Sequence, residues 1–249
     1  MKQNIYDNET FFDGYKKIRE NKNNANNLFE KPALFSLLPE LSGKRILDLG
    51  CGYGENCAEF VKKGASNVVG IDISQKMLEV AEKENSDPKI AYKNMPMEDI
   101  AQLSEKFDIV VSSLALHYVK DFSELVRNVN SLLNDGGLFI FSQENPINTC
   151  FTQGERWTKD SKGNKIHANI SNYSTDGERK SRWFVDGVVK YHRTFSTIIN
   201  TLVENGFQIV KLLEPAPSQE MAAAHPEHKD LLHKPDFLLV KAAKHILTV

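Results

Sequence analysis

The chain has 249 residues, 41% of them hydrophobic, which is enough for the core of one large α/β domain. Its formal net charge of −2 excludes a protein that follows nucleic-acid phosphates with a basic surface. It contains no run of about 18 apolar residues, no apolar signal core at its N-terminus and no Cys-x-x-Cys pair among its three cysteines. We therefore expect a cytoplasmic protein without a membrane segment or a nucleic-acid partner, present as a monomer or a homodimer.

The first 40 residues predict two helices separated by a polar loop. Apolar side chains recur at helical spacing over residues 8–20, and residues 21–27 are mostly asparagine. A second helix is predicted over residues 28–38 and stops before Pro39, because the residue before a proline disfavours the helical conformation.

Residues 45–63 predict a buried strand, a glycine-rich turn and a helix. The apolar run 45–49 contains one acid, Asp48, and glycines follow it at positions 50, 52 and 54. Glycine permits a sharp turn and lets a ligand lie against bare main chain. The N-terminus of the following helix offers free N–H groups and a partial positive charge.

The next apolar run, residues 67–72, predicts a second strand that ends in Asp72. An acid at this position can hold the two hydroxyls of a ribose. The alternative is that Asp72 caps the helix predicted over residues 75–84. Ser74 can supply that cap, which leaves Asp72 free for a ligand.

These two segments, ILDLGCGYG at residues 46–54 and VGIDIS at residues 69–74, resemble the class I S-adenosylmethionine-dependent methyltransferases. The acid two residues before the first glycine distinguishes them from a dinucleotide dehydrogenase fingerprint, in which a pyrophosphate would lie close to that carboxylate. A sulfonium cofactor with an ammonium group tolerates the acid and can use it. The resemblance covers residues 35–145 closely and the flanks loosely. It implies a Rossmann-like, doubly wound, mostly parallel seven-stranded sheet of order 3-2-1-4-5-7-6, with an antiparallel seventh strand and the ligand at the carboxyl ends of strands one and four.

Strand and helix patterns alternate along the rest of the core, with a helix predicted over residues 122–133 and another ending near residue 204. The remaining predicted strands, three to seven, cover residues 89–94, 107–113, 138–142, 207–213 and 237–242. We expect a single domain with four parts: a helical lid (1–40), a cofactor-binding core (41–145), an insertion (146–192) and the C-terminal part of the sheet (193–249).

The insertion is polar and rich in lysine, with Trp157 and Trp183 as isolated aromatic residues. Residues 182–191 predict a β-hairpin with its turn at Asp186-Gly187. We expect the insertion to cap the carboxyl ends of strands four and five, with a dimerisation arm as the alternative. Three histidines over residues 225–233 lack the partners of a known zinc pattern, so we expect solvated helix residues and no metal site.

The resemblance also implies positions for the cofactor. The N-terminal helices of similar proteins fold over it, which makes Tyr6, Phe11, Tyr15 and Arg19 lid candidates; the alternative for the aromatic residues is packing on the sheet. Where the family often has an acid before the adenine-binding loop, this chain has Pro96, and Glu98 and Asp99 are the candidates to replace it. The implied cofactor contacts are Tyr15, Arg19, Asp48, Gly50, Cys51, Gly52, Asp72, Ile73, Met77, Met97, Glu98, Asp99, Ser113, Leu114 and His117.

The function implied is methyl transfer from S-adenosylmethionine to a small-molecule acceptor that the sequence does not identify. Two histidines compete as the group that removes the acceptor's proton: His117, after strand four, and His192, where the insertion ends. Histidine suits this role because its ordinary pKa lies near neutral pH. The alternatives are a protein on the same fold that binds S-adenosylmethionine or S-adenosylhomocysteine without turnover, and a nicotinamide-dependent oxidoreductase.

Overall fold

The structure is a computed structural model that describes residues 3–246. Its strands are β1 (Arg45–Leu49), β2 (Asn67–Asp72), β3 (Ile90–Asn94), β4 (Phe107–Ser113), β5 (Leu133–Glu144), β6 (Trp157–Lys159), β7 (Lys165–Ala168), β8 (Gly177–Trp183), β9 (Val185–His192), β10 (Phe207–Leu213) and β11 (Phe237–Lys244). Its α-helices are α1 (Glu9–Glu20), α2 (Lys31–Leu37), α3 (Glu55–Lys62), α4 (Gln75–Glu84), α5 (Phe122–Leu132), α6 (Pro146–Thr149), α7 (Phe195–Glu204) and α8 (Gln219–Ala224). Short 3-10 segments span Ile5–Asp7, Met97–Gln102, Leu116–Tyr118 and Pro226–Leu232, and a π-helical turn spans Asn26–Glu30.

Seven strands form one sheet in the order β3-β2-β1-β4-β5-β11-β10. Strand β1 pairs in parallel with β2 and β4, whereas β11 pairs antiparallel with β5 and β10. The predicted doubly wound sheet is confirmed, because the sixth and seventh predicted strands are β10 and β11. The strand order reverses between β1 and β4, so the carboxyl ends of these two strands border the crevice in which such sheets bind ligands.

Helices cover both faces of the sheet, and alternate residues of β1 contribute to the two cores. Leu47 and Leu49 pack in the core that includes α5 and α7. Ile46 packs in the opposite core, with α2 and α3. By the same alternation Asp48 points toward the face covered by α3. Its side chain is therefore surrounded by residues of that face.

The N-terminal helices form where the sequence predicts them, with one difference. The second begins as the π-helical turn Asn26–Glu30 and continues as α2. Pro32 occupies the first turn of α2, where a proline removes no helical hydrogen bond. Among residues 3–246, no helix combines the length and apolar character needed to cross a bilayer.

The predicted hairpin is present as β8–β9, but its turn was predicted at the wrong residues. Trp183 pairs with Val185, so the turn lies at Phe184, whose φ is +60°. Asp186 and Gly187 lie within β9 instead.

Packing on α1 accounts for this displaced turn. The ring of Phe184 lies 5.5 Å from that of Phe11, and a Cβ at Gly14 would stand 2.5 Å from Phe184. The glycine in α1 therefore makes room for the hairpin tip, and this contact outweighs the local preference for an Asp-Gly turn.

The insertion also contains a second hairpin, β6–β7, that the sequence pattern did not predict. Its Trp157 ring lies 5.9 Å from the ring of His233, and Lys165 forms an ion pair with Asp230. This part of the insertion packs against the segment before β11.

Candidate active site

A cavity of about 270 Å³ lies at the carboxyl ends of the central strands. The glycine turn, the ends of β2 and β4, and residues 95–98 line one part of it. The N-terminal segment and α1 line another, and Trp183 of the hairpin and Phe237 of β11 complete the wall. The sheet topology therefore places the cavity at the predicted crevice.

The glycine turn presents bare main chain to this cavity. The N–H groups of Gly50 and Cys51 both donate to the carbonyl oxygen of Ile71, each at 2.9 Å, which folds the turn against β2. Gly52 has a φ of +54°, and a Cβ there would meet no protein atom of the described residues within 4 Å. The space that a side chain would fill is left to a ligand.

Asp72 is 9% exposed and lines the cavity beside that turn. Its Oδ2 accepts from the N–H of Gly52 at 2.9 Å, and its Oδ1 accepts from the N–H of Ser74 at 2.8 Å. Ser74 caps α4 through Met77 N at 3.2 Å, so the helix does not need Asp72 as its cap. Burial raises the pKa of Asp72, while the two N–H donors favour the ionised form. Each carboxylate oxygen retains a lone pair for a ligand hydroxyl.

An apolar pocket with one acid lies next to Asp72. Ile73, Met77 and Met97 line it together with Glu98, as the sequence led us to expect. Asp99 is not among the lining residues, so Glu98 is the acid available at this end.

The N-terminal segment closes the cavity with aromatic rings. Tyr6 and Tyr15 line it, with their ring centroids 5.2 Å apart. Phe11 is fully buried and lies 5.1 Å from the ring of Trp183. Both readings of these residues therefore apply: two tyrosines face the cavity, while Phe11 packs behind them.

A cationic group faces the cavity from α1. Arg19 lines it and forms an ion pair with Glu55, the first residue of α3. Lys31 reaches the same carboxylate at 3.4 Å. Arg19 is thus held at the wall while its guanidinium retains further N–H donors.

His117 lines the cavity beyond β4 and is 4% exposed. Its Nδ1 accepts from the N–H of Glu144 at 3.4 Å, which assigns the proton of the neutral ring to Nε2. Burial lowers the pKa of His117 to about 4, so the ring is neutral at pH 7.

Glu144, at the end of β5, also lines the cavity. Burial opposes its ionisation, but the neighbouring His117 and the ion pair with Lys190 of β9 hold the pKa of Glu144 below its usual range. Lys190 in turn lies over the Trp183 ring, 5.2 Å from its centroid. The hairpin is therefore fastened to the sheet at the cavity wall.

Comparisons with known proteins agree with this arrangement. A family model described as a methyltransferase domain matches residues 47–141. A solved structure from Mesorhizobium loti, an S-adenosylmethionine-dependent methyltransferase, is 40% identical with a TM-score of 0.80, and the match covers 86% of this chain and 97% of that one. The chain belongs to the S-adenosylmethionine-dependent methyltransferases.

Two further proteins are similar to this methyltransferase over most of its length. A structure from Listeria monocytogenes, assigned provisionally to the same class, is 39% identical with a TM-score of 0.81, and the match covers 87% of this chain and 97% of that one. An uncharacterized protein of Haemophilus influenzae is 41% identical over 249 residues, covering 98% of each chain. The family membership makes S-adenosylmethionine the cofactor and sets aside the nicotinamide-dependent alternative.

The cavity suits this cofactor. Asp72 can accept from ribose hydroxyls, the apolar pocket beside it accommodates a flat base, and Gly52 leaves space for close approach. Arg19 offers a cation to a carboxylate. Of the cofactor contacts implied by the sequence, the lining residues are Tyr15, Arg19, Gly50, Gly52, Asp72, Ile73, Met77, Met97, Glu98, Ser113, Leu114 and His117.

Asp48 and Cys51 do not line the cavity of this methyltransferase, contrary to expectation. Asp48 is 1% exposed, because the strand alternation turns it under the glycine turn toward α3. There the thiol of Cys57 donates to its Oδ2 at 3.3 Å, and burial raises the pKa of Asp48 to about 7. A carboxyl group in these surroundings packs beneath the loop rather than reaching the ligand.

His192 also lies outside the cavity, contrary to the prediction that it competes with His117 for the acceptor's proton. It is fully buried, its Nδ1 lies 2.8 Å from Thr149 Oγ1, and its Nε2 lies 2.8 Å from the carbonyl oxygen of Tyr173. With both ring nitrogens engaged, His192 ties β9 to α6 and to the loop before β8. Within residues 3–246, no cluster of histidine, cysteine and acidic side chains is placed to hold a metal ion.

Several lining residues were not assigned to the site from the sequence. Glu144 could have been found, because it ends a parallel strand at the ligand edge of the sheet. Trp183 carried a signal only as an isolated aromatic residue in the insertion. Met95, Ala115, Tyr118 and Val119 belong to the loops after β3 and β4, which the sequence had already placed at the site. Contacts between distant segments bring in Gln3, Ile5, Ile18, Asn26, Glu30 and Phe237.

The low pKa of His117 predicts a pH-dependent stability. Between about pH 6.5 and pH 4 the unfolded chain binds a proton at this residue that the folded chain does not, so stability falls as the pH falls through this window. We expect His117→Gln to reduce the loss of Tm between pH 7.5 and pH 5. The exposed His167→Gln serves as the control, and an unchanged loss in the His117 variant would contradict the assignment.

Proposed function

We propose that this methyltransferase methylates a small molecule held in the part of the cavity between His117, Glu144, Tyr118 and Trp183. The observation that carries the proposal is the closure of the cavity by the N-terminal segment and the hairpin. A chamber of about 270 Å³ that two segments cover in this way admits a small molecule, whereas a macromolecular acceptor needs an open surface.

In this proposal the core, the N-terminal segment and the two hairpins have different roles. The core holds the cofactor, with Asp72 at the ribose and Glu98 beside the adenine. Residues 3–20 and the β8–β9 hairpin form the cover, joined by the contacts of Phe11 with Trp183 and Phe184. The β6–β7 hairpin packs outside the cavity and is not part of this cover.

S-adenosylmethionine supplies a methyl group that its sulfonium has already activated. The chain's own contribution is to hold the acceptor in line with that group, at roughly 3 Å, and to exclude water. Burial raises the pKa of Tyr6 and of Tyr118, so both phenols keep their protons; the hydroxyl of Tyr6 donates to that of Tyr118, which leaves the Tyr118 proton for the acceptor. The ionised Glu144 offers an acceptor of hydrogen bonds at the same end.

His117 is the one histidine that lines the cavity within residues 3–246, and we propose that it takes a proton from the acceptor at Nδ1, in exchange for the long hydrogen bond that Nδ1 accepts from the Glu144 N–H at 3.4 Å. In that role His117→Ala lowers the single-turnover rate by about 10²–10⁴-fold while the affinity for S-adenosylhomocysteine holds. An unchanged rate would mean that positioning of the acceptor is sufficient and that no histidine base is needed.

The experiment that tests the function is transfer of a labelled methyl group from S-adenosylmethionine to a fractionated metabolite mixture. A labelled product identifies the acceptor. Binding of S-adenosylhomocysteine without any labelled product would favour the alternative of a binding protein without turnover.

The matched variants for this assay are Trp183→Ala and Trp157→Ala. Removing the Trp183 ring opens the acceptor chamber, so we expect a loss of turnover of about tenfold or more. Trp157 packs outside the cavity, and its removal should leave turnover near the wild-type level. Equal effects of the two substitutions would contradict a capping role for the β8–β9 hairpin.

A further inference from the structure

Glu30 is a buried carboxylate in the cavity wall for which the fold offers no structural partner of opposite charge. It ends the π-helical turn, is 2% exposed and lines the cavity. Burying a carboxylate is costly unless a partner compensates it. Burial raises the pKa of Glu30, and the cations of Arg19 and Lys31 only partly oppose this, because both make their ion pairs with Glu55; within residues 3–246 Glu30 has no ion pair.

Two serines hold this carboxylate in place. Ser113, at the end of β4, donates its hydroxyl to Glu30 Oε1 at 2.9 Å, and Ser142 of β5 donates to the same oxygen. Within the described residues, both hydrogen bonds to Glu30 thus go to one oxygen. The group is oriented by strands β4 and β5, next to Ser113 and Leu114 in the cavity wall.

The position of Glu30 in the cavity wall indicates which chemical group of a ligand it can contact. Arg19 also lines the cavity and interacts electrostatically with Glu30, whereas His117 contacts Glu144 and Tyr118. A cation and an anion that face the same cavity from α1 and the π-helical turn match a group that carries both charges. The α-amino acid end of S-adenosylmethionine is such a group.

We propose that Glu30 binds the α-ammonium group of the cofactor's methionine arm while Arg19 binds its α-carboxylate, an inference that rests on the proposed function. Asp48, the acid in the glycine motif, does not line the cavity and lies beneath the loop, where Cys57 donates to its Oδ2. The acid that recognises the ammonium therefore comes from the N-terminal segment, and the same segment that covers the cavity also selects the cofactor.

The test is a comparison of ligands by calorimetry on the full chain. S-adenosylhomocysteine carries both charged groups, its deaminated analogue keeps the carboxylate alone, and 5′-methylthioadenosine has neither. Glu30→Gln keeps the size of the side chain and an oxygen for the two serines. We expect it to weaken S-adenosylhomocysteine by about tenfold or more, since hydrogen bonds to charged groups are the stronger ones, and to leave the other two ligands within about twofold.

Two further variants sharpen the test. Arg19→Gln should weaken both ligands that contain the carboxylate and spare 5′-methylthioadenosine. Asp48→Asn, the matched change in the motif acid, should leave the affinity for S-adenosylhomocysteine within about twofold. Thermal unfolding of each ligand-free variant confirms that it folds.

The outcomes distinguish a failure of the proposed function from a failure of the assignment of Glu30. If the wild-type chain binds none of the three ligands, the proposed function fails. If it binds S-adenosylhomocysteine and Glu30→Gln binds equally well, or weakens all three ligands alike, the assignment of Glu30 is overturned while the function stands. Retained affinity with lost turnover would also overturn it, because Glu30 would then act on the acceptor.

Discussion

Asp72→Ala is expected to weaken binding of S-adenosylhomocysteine by at least about tenfold while the protein remains folded. Each hydrogen bond from a ribose hydroxyl to this carboxylate contributes on the order of 1.5–3 kcal/mol, and about 1.4 kcal/mol corresponds to tenfold in affinity. The carboxylate also holds the N–H of Gly52, so its loss loosens the turn against which the cofactor lies. Calorimetry on the purified variant measures the effect.

Two features of the structure indicate that the Asp72→Ala variant remains folded. Ser74, not Asp72, caps α4, and the strand pairing of β2 uses backbone groups. A Tm close to that of the wild type together with unchanged affinity would refute the assignment of Asp72 to the ribose. Asp72→Asn, which keeps the size of the side chain, should weaken binding as well, because the charge is lost.

Gly52→Val is expected to abolish detectable binding of S-adenosylhomocysteine. A β-branched residue is strained at the φ of +54° found here, and its side chain would occupy the open space that the cofactor needs. Because both consequences fall on the cofactor-binding turn, we expect a loss of affinity of roughly 100-fold or more. Calorimetry with S-adenosylhomocysteine measures it.

Gly43 offers a matched control for this substitution. Its φ is +73°, and a Cβ there would also meet no protein atom of the described residues within 4 Å, but Gly43 precedes β1 and does not line the cavity. Gly43→Val carries a similar backbone strain without blocking the ligand, so it should lower Tm and keep the affinity. If both variants bind alike, the role of Gly52 in cofactor binding is wrong.

Local sequence patterns were sufficient to predict the first two strands, the glycine turn and the helices that follow them. The strand with its alternate glycines, the acid at the end of the next strand and the serine that caps the following helix each depend on a few adjacent residues. The strand order followed from the resemblance of these segments to the class I methyltransferases, and with it the position of the cavity. Asp72, Gly52 and Met97 line the cavity for this reason, and their contacts with the cofactor stay predictions.

Only the tertiary structure decided which of the other side chains face the cavity. Asp48 belongs to the motif, but the pleat of β1 turns it under α3, and His192 follows a hairpin whose packing engages both of its ring nitrogens. Glu30 and Trp183 enter the wall from segments far from the motif in sequence. Local propensity acts over a few residues, whereas the direction of a side chain depends on how whole elements pack, as the turn displaced to Phe184 by its contact with Gly14 shows.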